Sequence, residues 1–371
     1  MLKIKSEIKI GFGLYRHMLD DAHLRFAKQL GATHIIVHLC DYFNKNTDSY
    51  SDNQPIGDSS RWGIASGEIW SIELLQKIKT KIEQHGLVWY AIENFDPKHW
   101  NYILFNDDRD QSESKKYKKY KQFETIKQII SNVGSVGIPV FGYNFSLTGV
   151  TGRIIRNDVR GNAQTVGMDG INDMLTTPLP KSMAWNMTVD PDAKGIHQVI
   201  SEEQLWRNLN EFLAQIIPVA EASNVIMAAH PDDPPLENVR GLPKLINQPD
   251  KFQRLLDCYL SEHNKLEYCL GTISEMTQGD VYETTKRYAL QDKIAYVHLR
   301  NVIGKVPHYK EVFIDEGDIN IKRIIQILED AHFKGVLIPD HSPQMSGGSP
   351  WYTGMAFAMG YINALVKNNN T

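Results

Sequence analysis

His230, Cys269, His298 and Asp340 share one setting: each closes a short, mostly apolar run, at 225–229, 266–268, 294–297 and 336–339. Imidazole, thiolate and carboxylate are the donor types that divalent cations take from proteins, and a cation needs several that converge. An apolar run ending abruptly in a polar residue reads as a buried strand emerging at one end of a sheet. In parallel α/β folds that carboxyl end is where chemistry is placed. Singly, each residue has a plainer explanation, such as a hydrogen-bonded histidine or a packed cysteine. Four donors at one depth on four successive strands weigh toward a metal site. The thiolate leans toward zinc, cobalt or iron, whereas a carboxylate-rich site would suit manganese or magnesium.

The elements that must hold these residues alternate along the chain. A first strand at 8–15 leads to a helix at 20–30, stopped by Gly31, and a second strand spans 34–40. The polar loop at 41–67 is longer than most connections, which marks it as functional. Ser71 opens a helix with Leu74, Leu75, Ile78 and Ile82 at helical spacing, followed by a third strand at 87–93. A helix at 117–133 and a fourth strand at 139–145 come next. From 146 to 201 the periodicity fades, as expected of an excursion after strand four that serves as a lid.

Helices at 202–222, 249–260, 281–290, 319–331 and 353–366 then alternate with strands at 225–230, 266–271, 294–299 and 336–339. Eight strands each followed by a helix imply parallel pairing with crossover connections. Gly11-Phe12-Gly13-Leu14 lacks the third glycine of a dinucleotide fingerprint. The expectation is a (β/α)8 barrel, one domain over residues 1–371.

Composition narrows the partners. At 371 residues with 42% hydrophobic and 23% charged, the chain can bury a large core. A net charge of −4, with both signs mixed, points to no nucleic-acid or membrane surface. The one basic run, 115–121, reads as a solvated helix start. Cys40, Cys258 and Cys269 are too few for a disulfide framework, and no apolar run reaches membrane length. A cytoplasmic protein is expected.

Several motifs resemble those of the mannonate dehydratase family. They are His230-Pro231-Asp232-Asp233-Pro234-Pro235 with Gly241-Leu242-Pro243, Cys269-Leu270-Gly271-Thr272, His298-Leu299-Arg300 and Pro339-Asp340-His341. Glu68-Ile69-Trp70-Ser71, Gly86-Leu87-Val88-Trp89 with Glu93, Tyr143-Asn144-Phe145 and Ile216-Ile217-Pro218-Val219-Ala220-Glu221 extend the likeness over nearly the whole chain. The resemblance implies a xylose-isomerase-like TIM barrel that dehydrates a sugar acid, D-mannonate or a related aldonate, to a 2-keto-3-deoxy acid. It implies manganese as the usual cation, on His230, Cys269, His298 and Asp340. It carries acid/base roles onto His341 and Tyr352, and a substrate-side role onto Arg153. Related barrels pair, so a homo-oligomer is expected.

Two segments depart from the family pattern. Cys40-Asp41 stands where the family has a pair of histidines, and Val150-Thr151-Gly152 where it has an Asp-Trp pair. The resemblance places both segments around the substrate, so they bear on specificity.

Dehydration next to a carboxylate needs a base for the C2 proton, an acid for the departing C3 hydroxyl, and stabilisation of an enediolate. Arg300 and Arg153 could grip the substrate carboxylate, with Arg300 equally able to form a rim ion pair. Glu93, at the third strand end, belongs on the substrate side, as an acceptor behind the site or a further acid/base group. His341 could instead only orient its neighbour Asp340. Asp232 and Asp233 could shape a turn, and among Trp62, Trp70, Trp100, Trp185 and Trp351 most would be core. A metal-dependent sugar isomerase or epimerase, or a sugar-acid binding protein without catalysis, are the competing functions.

Overall fold

The computed structural model describes residues 7–43, 62–110 and 112–368. Eight parallel strands close a barrel in chain order: β1 (Lys9–Tyr15), β2 (His34–His38), β3 (Val88–Glu93), β4 (Val140–Tyr143), β5 (Ile226–Ala229), β6 (Asn264–Cys269), β7 (Ile294–Leu299) and β8 (Val336–Pro339). The ring is completed by Lys9 and Ile10 pairing with Val336 and Leu337. Helices α1 (Asp21–Gln29), α2 (Ile72–Gln84), α3 (Glu113–Val136), α4 (Glu202–Ala222), α5 (Pro249–Cys258), α6 (Val281–Leu290), α7 (Ile321–Asp330) and α8 (Pro350–Asn368) follow the strands in turn. This is the (β/α)8 barrel that the alternating pattern implies.

Local chemistry explains the elements. Every residue of β6 and β7 is buried, as strands covered on both faces require. In α7 the buried residues are Ile321, Ile324, Ile325 and Leu328, one stripe at helical spacing. Ser71 caps α2 by accepting from Leu74 N at 3.2 Å, and Ser201 caps α4 from Gln204 N at 3.1 Å. Helix α8 begins at Pro350, earlier than the pattern indicates, because proline's fixed φ suits a first turn.

Two regions differ from the sequence reading. The excursion at 146–201 carries strands Ile154–Arg156 and Thr165–Asp169. The chain after β7, to which the sequence reading assigned no element, forms a hairpin of Asn301–Lys305 and His308–Val312. Together they make a four-stranded antiparallel sheet outside the barrel. Glu311, a charged residue at a buried position, masks the alternation that an outlying sheet with one buried face would otherwise show. Residues 44–61 of the loop after β2 lie outside the described residues. Its flanks pack Cys40, Tyr42, Phe43 and Trp62 against Trp185 and Met187 of the excursion, with Val150 alongside. Both departures from the family pattern therefore meet in one apolar cluster.

A buried ion pair ties the excursion down. Lys244 Nζ lies 3.3 Å from Asp232 Oδ1 and donates to Ser146 Oγ and Gly149 O, both at 2.8 Å. Asp232 Oδ2 accepts from Leu245 N and Ile246 N, a turn-shaping role. Lys244→Met strands the Asp232 charge, and a loss of about 3 kcal/mol is expected, read as a lower thermal midpoint. No described helix is long and apolar enough to cross a membrane.

Candidate active site

The barrel brings His230, Cys269 and His298 together at its carboxyl end, with donor atoms all within 4.8 Å of one another. Cys269 and His298 are paired in register across β6 and β7. Asp340, one residue past β8, places Oδ2 3.8 Å from Cys269 Sγ and Oδ1 3.9 Å from His298 Nδ1. Bonds of about 2.0–2.3 Å to a tetrahedral ion would set donors roughly 3.4–3.8 Å apart, so the four residues fit one divalent cation. His230 Nδ1 donates to Pro231 O at 2.6 Å, which fixes the ring and leaves Nε2 as its donor atom. Cys269 accepts from Thr272 Oγ1 at 3.1 Å.

The charges are arranged for a thiolate. Burial would raise the Cys269 thiol, but the Arg300 charge and hydrogen bonds from His230 and His298 bring it down to about 5. Burial opposes the His230 cation, yet the Cys269 hydrogen bond and the Glu267 charge raise it to about 9. Without a cation the site thus stores protons on its histidines, and a metal ion would displace them.

Arg300 lies beneath the mouth with its fork fully engaged. Nε meets Asp340 Oδ2 at 3.0 Å, and Nη2 meets Asp233 Oδ2 at 3.1 Å and Thr272 Oγ1 at 3.0 Å. Nη1 binds Glu275 and approaches Glu311 Oε1 at 3.6 Å. It is 1% exposed, so the ion-pair alternative describes its present contacts. Arg153 is also buried, but it has one carboxylate within ion-pair distance among the described residues, Glu311 at 3.5 Å.

His341 is held from both sides. Its Nδ1 is 3.0 and 3.1 Å from the two oxygens of Glu311, and its Nε2 is 3.4 Å from Asp340 Oδ1. Burial disfavours its cation, but the Asp340 and Glu311 charges outweigh that and raise it. Glu311 comes from the outlying hairpin, and Thr165 Oγ1 ties the Glu311 carbonyl to the excursion at 3.0 Å. Sequence reading missed Glu311; the alternation of Tyr309 and Glu311 in a charged hairpin was the available signal.

Glu93, the last residue of β3, points into the barrel with its Oε2 3.5 Å from His298 Nε2 and 3.6 Å from His38 Nε2. Burial works against its charge, and the two histidines overcome it and hold the carboxyl low. Glu267, two residues before Cys269 and so on the same strand face, is pushed up by burial and then by Glu93. A cavity of about 30 Å³ is lined by Tyr15, His38, Glu93, His298, Asp340 and Trp351, among others.

Tyr352 is not brought to this cluster. Successive helical residues point about 100° apart, so Trp351 faces the cavity while Tyr352 turns to the helix layer. Its ring packs on Phe26 at 4.6 Å and His23 at 5.6 Å. Of the other tryptophans, Trp70 and Trp100 are core, and Trp62 and Trp185 join the Cys40 cluster.

A closed parallel barrel with His230, Cys269, His298 and Asp340 gathered at its carboxyl mouth defines the fold class, a xylose-isomerase-like TIM barrel. The xylose isomerase domain protein from Planctomyces limnophilus shares this fold at 12% identity and a TM-score of 0.55, covering 98% of this chain and 99% of that one. More specifically, the chain belongs to the D-mannonate dehydratase (UxuA) family, whose model matches residues 12–370, and it is a hydro-lyase of that type. The mannonate dehydratase of Streptococcus pneumoniae (strain 70585) is 30% identical over 325 residues, 83% of this chain and 85% of that one. The crystal structure of mannonate dehydratase from Streptococcus suis serotype2 matches with a TM-score of 0.77 at 27% identity, covering 98% of this chain and 94% of that chain.

Proposed function

We propose that this chain dehydrates a six-carbon sugar acid of the D-mannonate type to its 2-keto-3-deoxy acid, with a divalent cation held by His230, Cys269, His298 and Asp340. The observation that carries the reading is His341, fixed between Asp340 and Glu311 beside those four donors. Family resemblance favours manganese, and the thiolate also admits zinc, cobalt or iron. When bound, the cation supplies Lewis-acid stabilisation of the charge that develops on the substrate carboxylate.

The chain's own residues do the rest. Arg153, with donors to spare, anchors the carboxylate, and Arg300 positions Asp340 rather than touching substrate. With Nδ1 committed to Glu311, His341 exchanges protons through Nε2. Removal of the C2 proton and departure of the C3 hydroxyl as water leave an enol, which becomes the ketone; the net change is loss of one water. Glu93 closes the floor beneath the substrate, and the 146–201 excursion acts as a lid.

Tyr352 supplies the second acid/base group by a turn of the segment before α8. Gly347 and Gly348 there have φ of 105° and 78° and open space where a Cβ would stand. Tyr352→Phe is expected to lower kcat by about 100-fold or more with KM little changed. An unchanged kcat would show that the ring stays in the helix layer.

The deciding experiment is a turnover assay of metal-reconstituted protein on a panel of hexonates and uronates, D-mannonate included, read as 2-keto-3-deoxy acid. Product from D-mannonate establishes the family substrate. Product from a different acid alone assigns the Cys40–Asp41 and Val150–Gly152 departures to specificity. No keto acid from any of them, with metal bound, overturns the dehydratase reading in favour of isomerisation or epimerisation.

A further inference from the structure

One layer below the mouth donors, the barrel holds a second convergent set. Glu93, Glu267 and His298 each offer a ligand atom, and these atoms lie within 4.8 Å of one another. The residues are 5%, 1% and 3% exposed. The neighbouring barrel interior is apolar, with Ile36, Ala91, Val140, Ala228 and Val336 packed together. Two carboxylates among such neighbours are costly unless something neutralises them.

Beyond the long His298–glutamate approaches at 3.5 Å, the polar atoms make no hydrogen bond of normal geometry. Glu93 Oε2, Glu267 Oε2, His298 Nε2 and the Tyr296 hydroxyl are buried and have no hydrogen-bond partner. Such groups are nearly always satisfied in folded proteins, so four together point to something that binds them. The backbone makes room for their heads. A Cβ on Gly142 of β4 would collide with both Glu267 Oε2 and the Tyr296 hydroxyl.

We propose that Glu93, Glu267 and His298 bind a second divalent cation, with the Tyr296 hydroxyl beside it, deeper in the barrel than the first. His298 Nε2 stands 3.5 Å from Glu93 Oε2 and 3.5 Å from Glu267 Oε1. Donors at bond lengths of about 2.1 Å are about 3.0 Å apart around an octahedral ion and about 3.4 Å apart around a four-coordinate one, so these edges need close in by only about 0.1–0.5 Å. The two nitrogens of His298 face opposite ways, Nδ1 toward Asp340 and Nε2 toward the glutamates. One ring can therefore serve both positions as an imidazolate, its remaining N–H proton being released to solvent when the second cation binds. Carboxylate and phenol oxygens select an oxygen-preferring ion, Mn²⁺ or Mg²⁺, whereas the outer position carries the thiolate. Glu93 and His298 line the small cavity that also reaches Asp340 and Tyr15, which supplies a route in.

The test uses the full chain and Mn²⁺ alone, in equilibrium dialysis with metal analysis and electron paramagnetic resonance. Wild type is expected to hold two equivalents per chain, with a signal broadened by the neighbouring ion. Glu267→Gln, near in shape, is expected to hold one equivalent with an unbroadened signal, and Tyr296→Phe to weaken the second equivalent by about 10-fold or more. Cys269→Ala reports on the outer position separately and is expected to keep the inner ion. One equivalent in wild type and Glu267→Gln alike overturns the inner site and leaves the outer one standing; the glutamates then share a proton or a water instead. Two equivalents in both variants and wild type overturns it as well. A thermal melt checks that Glu267→Gln folds, and Glu93→Gln is the second variant if it does not.

Discussion

Cys269→Ala is expected to weaken metal binding at the proposed outer position by more than about 100-fold, since even partners behind a ligand are worth 10–100-fold. Activity at limiting metal should fall in parallel and recover only in part at high metal. The reason lies in what surrounds the sulfur. Burial alone would favour the neutral thiol, but Arg300, His230 and His298 bring the group down to about 5, so at neutral pH it is a ready thiolate. Removing it leaves a hole and an uncompensated positive set. The pH dependence follows with a definite sign. Above about 5 the thiolate is present, and below that the proton competes with the metal. His230 titrates higher, near 9, so affinity should keep rising from neutral pH toward that value as its proton becomes easier to displace. Titration of metal affinity from pH 5 to 9 checks this; an affinity flat over that range would remove both residues from the ligand set.

Arg300→Met should be the most damaging single change to the fold. One guanidinium, 1% exposed, meets Asp340, Asp233 and Glu275 directly and lies 3.6 Å from Glu311. Taking away the cation strands several buried carboxylates, and losing even one such partner costs about 3–5 kcal/mol. The thermal midpoint should drop by roughly 4–6 °C or more for a chain of this size. Arg300→Lys should recover little, because an ammonium cannot reach along the same fork. A Met variant melting within about 1 °C of wild type would show that the carboxylates are neutralised by other means (a midpoint change that small is about 1 kcal/mol or less).

The positions of the strand-end donors were legible before any coordinates. Parallel strands all present their carboxyl ends to one side, so a polar residue at the tip of each run must converge with the others. His230, Cys269, His298 and Asp340 obey that rule directly. Glu267 was legible in principle, since alternation puts residue i−2 on the same strand face as Cys269, but a glutamate inside an apolar barrel is not what burial statistics favour. Glu311 was hidden for a different reason: its hairpin lies outside the barrel, and only pairing with a segment more than a hundred residues away fixes it.

The side on which a helix residue falls was also beyond sequence reading. Trp351 and Tyr352 are adjacent, and which one faces the cavity depends on the phase at which α8 starts and docks. The amino-acid sequence by itself determined the barrel, the order of its elements and the gathering of His230, Cys269, His298 and Asp340 at its mouth, because hydrophobic periodicity and strand direction are local properties. Only the tertiary structure decided that Arg300 serves Asp340, that Glu311 holds His341, and that Tyr352 turns away from the cavity. Those are pairings between distant segments, set by packing that no local pattern encodes.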